Sequence, residues 1–227
     1  MIITVWSDFA CPFCYIGESR LEKAISDLGM TADVRIDYMS FQLDTDFPRD
    51  KTQGAVEHFM EDGGITEEHA VNRIAKIERI ARSAGLEFKY VDAKYCNTFD
   101  AHRLVKYADA TDKTVVEPLV KALFAGFFSK GLILSDRNVL CDIAVSVGLD
   151  RKKVLEFLDS DRFADDVHAN ERVAAFQGVK SVPYVLFDGE FAMAGAVEVD
   201  DYKKALLKAK TETAESGHKC GPDGCEL

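Results

Sequence analysis

Two cysteines separated by two residues, Cys11-Pro12-Phe13-Cys14, follow closely on the short apolar run Ile2-Ile3-Thr4-Val5-Trp6. The spacing places two thiols one helical turn apart, at the junction of a first strand and a first helix. Pro12 falls in the first turn, where its missing N–H removes no bond and its fixed φ suits the helix. A thiolate there faces free backbone N–H groups and the positive end of the helix dipole. In such settings a cysteine pKa falls from about 8.5 into the range of roughly 3.5 to 7.5. The chemistry this permits is thiol–disulfide exchange, with Cys11 as an exposed attacking thiolate. Cys14 resolves the mixed disulfide that a lone cysteine would leave in place. Two small apolar side chains near a helix start, or half of a zinc site, are the plainer readings of the pair.

The other cysteines divide into a tail pair, Cys220 and Cys225, and two singles, Cys96 and Cys141, which read most simply as small buried side chains. The tail pair sits among Gly221-Pro222 and Asp223-Gly224, both reversal signals, so its two sulfurs could meet. An auxiliary redox pair serving Cys11 is one reading. A metal clip of His218, Cys220 and Cys225, short of a fourth ligand, is another, and a terminus with inert thiols is the third. Asp8 stands close to Cys11 in sequence, where its charge would raise a thiol pKa or help deprotonate Cys14. Asn97, His102 and Arg103 offer an amide and a cation suited to a peptide backbone or a carboxylate.

The elements that must position these groups follow from periodicity. A helix over about 12–28 is expected from Leu21, Ala24, Ile25 and Leu28 with Gly29 as its stop, and Val34 to Phe41 alternates as a strand. This is a β-α-β unit with two parallel neighbours. From about 50 to 176 the pattern is helical almost throughout, with segments near 53–61, 98–109, 116–129, 136–147, 151–158 and 162–177. Another segment opens at Thr66 as N-cap before two glutamates and runs to Gly85. Pro183 to Phe187 reads as a strand, Asp188-Gly189 as a tight turn, Phe191 to Ala194 as the hairpin partner, and Val197 to Glu215 as a last helix. The fold class expected is a thioredoxin fold with a large all-helical insertion between its β-α-β and β-β-α halves. Residues 1–48 and 177–215 form the thioredoxin-like domain, 49–176 the helical insertion, and 216–227 a flexible tail.

Composition narrows the function. The 227 residues carry 28 Lys+Arg against 39 Asp+Glu, a formal net charge of -11, with 47% apolar content. No basic stripe stands out, which argues against nucleic acid as a partner. No apolar run approaches the roughly 20 residues of a membrane span. No secretory leader pattern precedes the first strand, so the expected location is the cytoplasm, where scattered cysteines serve catalysis or metal binding more often than scaffolding.

Ser7-Asp8-Phe9-Ala10-Cys11-Pro12-Phe13-Cys14-Tyr15-Ile16-Gly17 resembles the signature of the DsbA-like thioredoxin family, in particular its cytoplasmic FrnE branch. Asn97-Thr98-Phe99-Asp100-Ala101-His102-Arg103-Leu104 resembles that branch's internal motif, as does Gly178 to Tyr184 continuing through Gly195-Ala196. Phe13 stands where the family often has Trp, a change that tunes potential. The resemblance implies a cis Val182–Pro183 bond against the dithiol, which also accounts for a proline at the head of a core strand. It further implies that the backbone of Val182 pairs with an extended substrate and that Phe13, Pro183 and Asn97 line the substrate site. The partners implied are protein or small-molecule thiols and disulfides. No cofactor is required, although glutathione could serve as co-substrate, and the sequence leaves open whether the chain dimerises. Related kappa-class glutathione transferases and 2-hydroxychromene-2-carboxylate isomerases typically carry serine at the first cysteine position. A glutathione-dependent isomerase or transferase acting on small aromatic substrates is therefore the alternative.

Overall fold

The computed structural model describes residues 1–216. β1 (Ile2–Ser7) leads through the dithiol into α1 (Pro12–Asp27), and β2 (Arg35–Ser40) returns parallel to β1, pairing Ile2 with Arg35 and Ser7 with Ser40. β5 (Tyr184–Phe187) lies antiparallel on the other side of β1, and β6 (Phe191–Ala194) completes a four-stranded sheet of order β2-β1-β5-β6. Asp188 and Gly189, both at positive φ, make the hairpin turn that the Asp-Gly signal predicts. α9 (Val199–Ser216) then packs beside α1. This is the expected thioredoxin fold.

Strand alternation decides what each face of the sheet meets. Ile3 and Val5 of β1 join Leu21, Ala24 and Ile25 of α1, Val185 and Phe187 of β5, and Tyr202, Ala205 and Leu206 of α9 in one buried cluster. Trp6 belongs to a second and larger cluster that extends through the helical block. Its indole N–H donates to the Asn170 carbonyl, while the Asn170 side chain accepts from the Ser40 amide, so the helix carrying Asn170 is fastened to both β1 and β2.

Between β2 and β5 lie α2 (Ala55–Gly63), α3 (Glu67–Ser83), α4 (Phe99–Thr111), α5 (Val116–Lys130), α6 (Arg137–Ser146), α7 (Arg151–Leu158) and α8 (Ala164–Phe176). Thr66 caps α3 by accepting from the His69 N–H, with Glu67 and Glu68 at the positive end of the helix dipole. The block is not wholly helical. β3 (Thr52–Gly54) and β4 (Lys94–Cys96) pair antiparallel in a short ribbon, Thr52 opposite Cys96. Three residues per strand are too few for an alternation pattern to register, and the partners are far apart in sequence. Among the described residues no helix is long and apolar enough to cross a membrane.

α1 approaches the hairpin so closely that Gly17 has no room for a side chain. A Cβ there would fall 2.9 Å from Pro183 Cγ and 3.3 Å from the Tyr202 hydroxyl. The proline ring cannot rotate away. Although alanine favours a helix interior over glycine, Gly17→Ala is expected to destabilise the protein by about 1–3 kcal/mol through overpacking. Urea unfolding measures it, and a rise in stability would show that the α1–Pro183 contact yields without cost.

Candidate active site

The site forms where β1 ends and α1 begins. Cys11 is the N-cap residue of α1, extended at φ -88° and ψ 112°, and Pro12 takes the first helical position. The chain reverses just before it. The Cys11 amide donates to the main-chain carbonyl of Asp8 at 3.0 Å, and the Ala10 amide donates to Asp8 Oδ1 at 3.2 Å, an Asx-type turn. The Cys14 amide closes the first helical turn on the Cys11 carbonyl at 3.1 Å. Both cysteines are free thiols.

Their environments differ. Cys14 is 1% exposed, and burial, together with the hydrogen bond and charge of Cys11, pushes its thiol well above the ordinary range. Cys11 is 5% exposed, so the expected open thiolate is instead recessed in the wall of a cleft of about 400 Å³. The helical block folds over the strand–helix junction and supplies the opposite wall, including Phe59, Arg73, Ile77, Tyr90 and Tyr95. Phe13 is 38% exposed and lines the cleft beside Cys11, as does Leu43 from the loop after β2. Cys11 Sγ donates to the Val182 carbonyl at 3.7 Å, and the Val182–Pro183 peptide is cis.

The cleft carries charge as well as aromatic surface. Arg73 lies with its guanidinium 5.3 Å from the Phe59 ring centre, and Asp44 and Asp62 line the same space. His58 stacks on Tyr95 with ring centres 3.6 Å apart and places Nδ1 3.2 Å from Gln53 Oε1. Burial lowers the His58 pKa against the pull of Asp62, Asp44 and Glu61, which favours neutral imidazole. Among the described residues no three or more His, Cys, Asp or Glu side chains group as metal ligands.

Other residues singled out from sequence are engaged elsewhere. Asn97 donates from Nδ2 to the Phe47 carbonyl at 2.8 Å and accepts the Phe99 amide at 3.0 Å, so its side chain caps α4 and does not line the cleft. Arg103 is buried, donating to Asp100 and to the carbonyls of Ser160 and Arg162, and so ties α4 to the approach to α8. His102 is buried 3.6 Å from Asp8 and against the Phe9 ring. Cys96 and Cys141 are buried, and Cys220 and Cys225 lie outside the described residues. Sequence reasoning missed Thr98, whose hydroxyl donates to Asp8 Oδ1 at 2.8 Å, and the cleft residues His58, Phe59, Arg73, Tyr90 and Tyr95. Thr98 was within reach, because it lies inside the motif that carries His102. The cleft residues become neighbours only through folding.

The model of the DSBA-like thioredoxin domain matches residues 2–207. The chain belongs to the DSBA-like thioredoxin family. A probable DsbA oxidoreductase from Streptomyces coelicolor is 30% identical with a TM-score of 0.87, covering 100% of this chain and 99% of that one. Two further likenesses are of fold alone. A 2-hydroxychromene-2-carboxylate isomerase is 18% identical, with a TM-score of 0.69 over 95% of this chain and 99% of its own. The cytosolic disulfide reductase DsbM from Pseudomonas aeruginosa is 17% identical, with a TM-score of 0.66 over 94% of this chain and 100% of its own. This DsbA-like chain thus shares its fold with relatives bearing both redox and isomerase names.

One turn beyond Cys14, Glu18 is buried and accepts a hydrogen bond from the Tyr38 hydroxyl at 2.9 Å. Burial, and then the charge of Glu22, push it up to about 8, against the pull of Tyr38 and Lys121. A carboxyl whose folded-state pKa lies above its unfolded value stabilises the fold through its protonated form. That contribution is complete below about 4.5 and is lost as pH rises through about 8. Urea midpoints between pH 5 and pH 8 are therefore expected to fall more steeply for wild type than for Glu18→Gln. Parallel slopes would mean that Glu18 stays ionised in the fold.

Proposed function

We propose that this chain is a cytoplasmic thiol–disulfide oxidoreductase, exchanging disulfides through Cys11 and Cys14 as the FrnE-like motifs imply. The observation that carries the reading is the asymmetry of the pair: Cys11 opens onto a cleft at the start of α1, and Cys14 is sealed one turn inside. In the reducing direction, the Cys11 thiolate attacks one sulfur of a substrate disulfide. An S–S bond forms to Cys11, and the other substrate sulfur leaves as a thiolate. Cys14 then loses its proton and attacks Cys11 Sγ, which releases the second substrate thiolate and leaves a Cys11–Cys14 disulfide. The substrate has gained two electrons and the protein has lost two. The reverse sequence oxidises a dithiol.

The burial of Cys14 supports this order of events. A thiol held protonated is no competitor to Cys11 for the incoming disulfide. It becomes the closest nucleophile once the mixed disulfide forms. Phe13 beside Cys11 in the cleft offers the substrate apolar surface, and Val182 and Pro183, which do not line the cleft, offer it a backbone edge from the Val182 carbonyl 3.7 Å from Cys11 Sγ. Substrates are protein or small-molecule thiols and disulfides, with glutathione as the co-substrate that reloads the pair.

The cleft volume of about 400 Å³ suits a small ligand, and this favours the second reading, a glutathione-dependent isomerase or transferase acting on a small aromatic substrate. Titration in glutathione buffers with mass-spectrometric mapping of disulfides separates the two. The oxidoreductase forms a Cys11–Cys14 bond at a defined poise, Cys11→Ser loses exchange, and Cys14→Ser accumulates mixed disulfide on Cys11. If no such bond forms at any poise, glutathione stays bound in reduced form and Cys14→Ser keeps full turnover, the second reading replaces the first.

A further inference from the structure

Attack by Cys11 displaces the second substrate sulfur as a thiolate, a charge that a hydrogen-bond donor in the cleft would stabilise. An S–S bond is about 2.05 Å long, so in-line attack sets the leaving sulfur roughly 4 Å beyond Cys11 Sγ, out in the cleft. A donor to that sulfur must stand on the opposite wall, clear of Cys11 itself. Tyr90 stands there. Its side chain is 3% exposed and lines the cleft. The ring is held edge-on by Phe59 at 5.8 Å and by Phe128 at 5.1 Å. Its amide donates to Glu78 Oε1 at 2.8 Å, and the preceding Lys89 amide donates to the Phe128 carbonyl at 2.8 Å. The hydroxyl, by contrast, makes no hydrogen bond among the described residues. Nor is it sealed: the fully buried and unpaired side-chain atoms among those residues belong to Glu22, His102, Glu171 and Tyr202. A fixed ring thus carries one free O–H to the space that Cys11 opens onto.

We propose that Tyr90 is a catalytic residue of the exchange, its hydroxyl donating a hydrogen bond to the substrate sulfur that leaves when Cys11 attacks. The bond to Cys11 forms as the substrate S–S bond breaks, and the electron pair of that bond goes to the leaving sulfur. Tyr90 shares its proton without giving it up, and the released thiolate takes a proton from water. In the oxidising direction the same hydroxyl meets the incoming substrate thiolate. Burial, and then the charge of Cys11, hold the Tyr90 hydroxyl protonated well above the ordinary tyrosine range, against the pull of Arg73. It is therefore a donor and not a base. The charge of Cys11 reaches it although no hydrogen bond joins the two, which suits a donor set one substrate sulfur away. Tyr95 lines the cleft as well, but its ring lies on His58 and the charges that reach it first are those of Asp8 and Asp44. A donor fixed in advance of the reaction needs no reorganisation as the charge develops.

The test uses the full chain carrying Cys14→Ser, so that only the first step is read, as the rate of adduct formation on Cys11. Two neutral disulfides serve as probes. Bis(2-hydroxyethyl) disulfide releases a strongly basic alkyl thiolate, whereas 4,4'-dithiodipyridine releases a group that is stabilised as its thione and needs no donor. Tyr90→Phe keeps the ring against Phe59 and Phe128 and removes the hydroxyl alone. It is expected to slow the alkyl disulfide about tenfold and the pyridyl disulfide by less than about twofold. A structural role for the hydroxyl would slow both alike. Equal losses, or none, overturn the proposal. The inference rests on the exchange reading, and the two fail differently. Absence of a Cys11–Cys14 disulfide at every poise rejects the function and this inference with it, whereas rates that do not depend on the leaving group reject Tyr90 alone.

Discussion

Taking the Asp8 carboxylate out of water is costly unless donors meet its oxygens, and those donors come from three separate stretches of the chain. Ala10 belongs to the turn before the dithiol, Leu43 to the loop that leaves β2, and Thr98 to the start of α4. Satisfying one carboxylate therefore fixes the approach to Cys11, one edge of the cleft, and the seat of the helical block on the thioredoxin sheet. The arrangement is mutually dependent. If the block moved, the carboxylate would lose Thr98 and His102, and if the loop moved, it would lose the Leu43 amide. Burial makes each loss expensive, which gives the turn its rigidity.

The packing leads to the same dependence by another route. Cys11, Cys14 and Ile16 share a single buried cluster with Leu104, Phe124 and Phe128 of the helical block. Tyr15, next to Cys14, stacks on Phe124 at 5.2 Å and on Phe88 at 5.6 Å. Aromatic stacking of this kind orients as well as buries, so the face of α1 turned toward the block is set by rings from α5 and from the segment after α3. The opposite face of α1 packs with α9 and the sheet in the other cluster. The helix bearing the dithiol is thus clamped on both sides, and only its N-terminal end, with Phe13, reaches the cleft.

What sequence revealed was what local chemistry encodes. The dithiol, the Thr66 cap, the stop at Gly29, the Asp188-Gly189 turn and the proline at the head of β5 each depend on a few adjacent residues, and each stands where those residues predict. The β3–β4 ribbon depends on pairing Thr52–Gly54 with Lys94–Cys96, a fact of tertiary structure. The exposure of Cys11 was misjudged for a related reason. A helix N-terminus is open in isolation, and what recesses this one is the wall formed by Phe59, Arg73, Ile77, Tyr90 and Tyr95. Asn97 and Arg103 sit in a motif near the site, but position in a motif does not tell which way a side chain turns. Asn97 turns to the start of α4, and Arg103 to the carbonyls of Ser160 and Arg162.

The placement of polar groups explains why the cleft is built from the block rather than from the sheet. β1 and β5 end at the dithiol, and their side chains are committed to the two clusters on either face. Next to Cys11 this part of the fold presents backbone, the Val182 carbonyl 3.7 Å from its Sγ. The side chains that face Cys11 across the cleft come instead from α2, α3 and the ribbon, which bring Asp62, Arg73, His58 and the ring of Tyr95 to the same space. Changes on those elements leave the dithiol and its Asp8 turn intact while altering what the thiol meets. A division between a rigid reactive turn and a separately supplied wall lets one fold host different chemistries. In this chain both reactive positions of the turn are thiols, Cys11 in the wall of the cleft and Cys14 sealed in the core behind it.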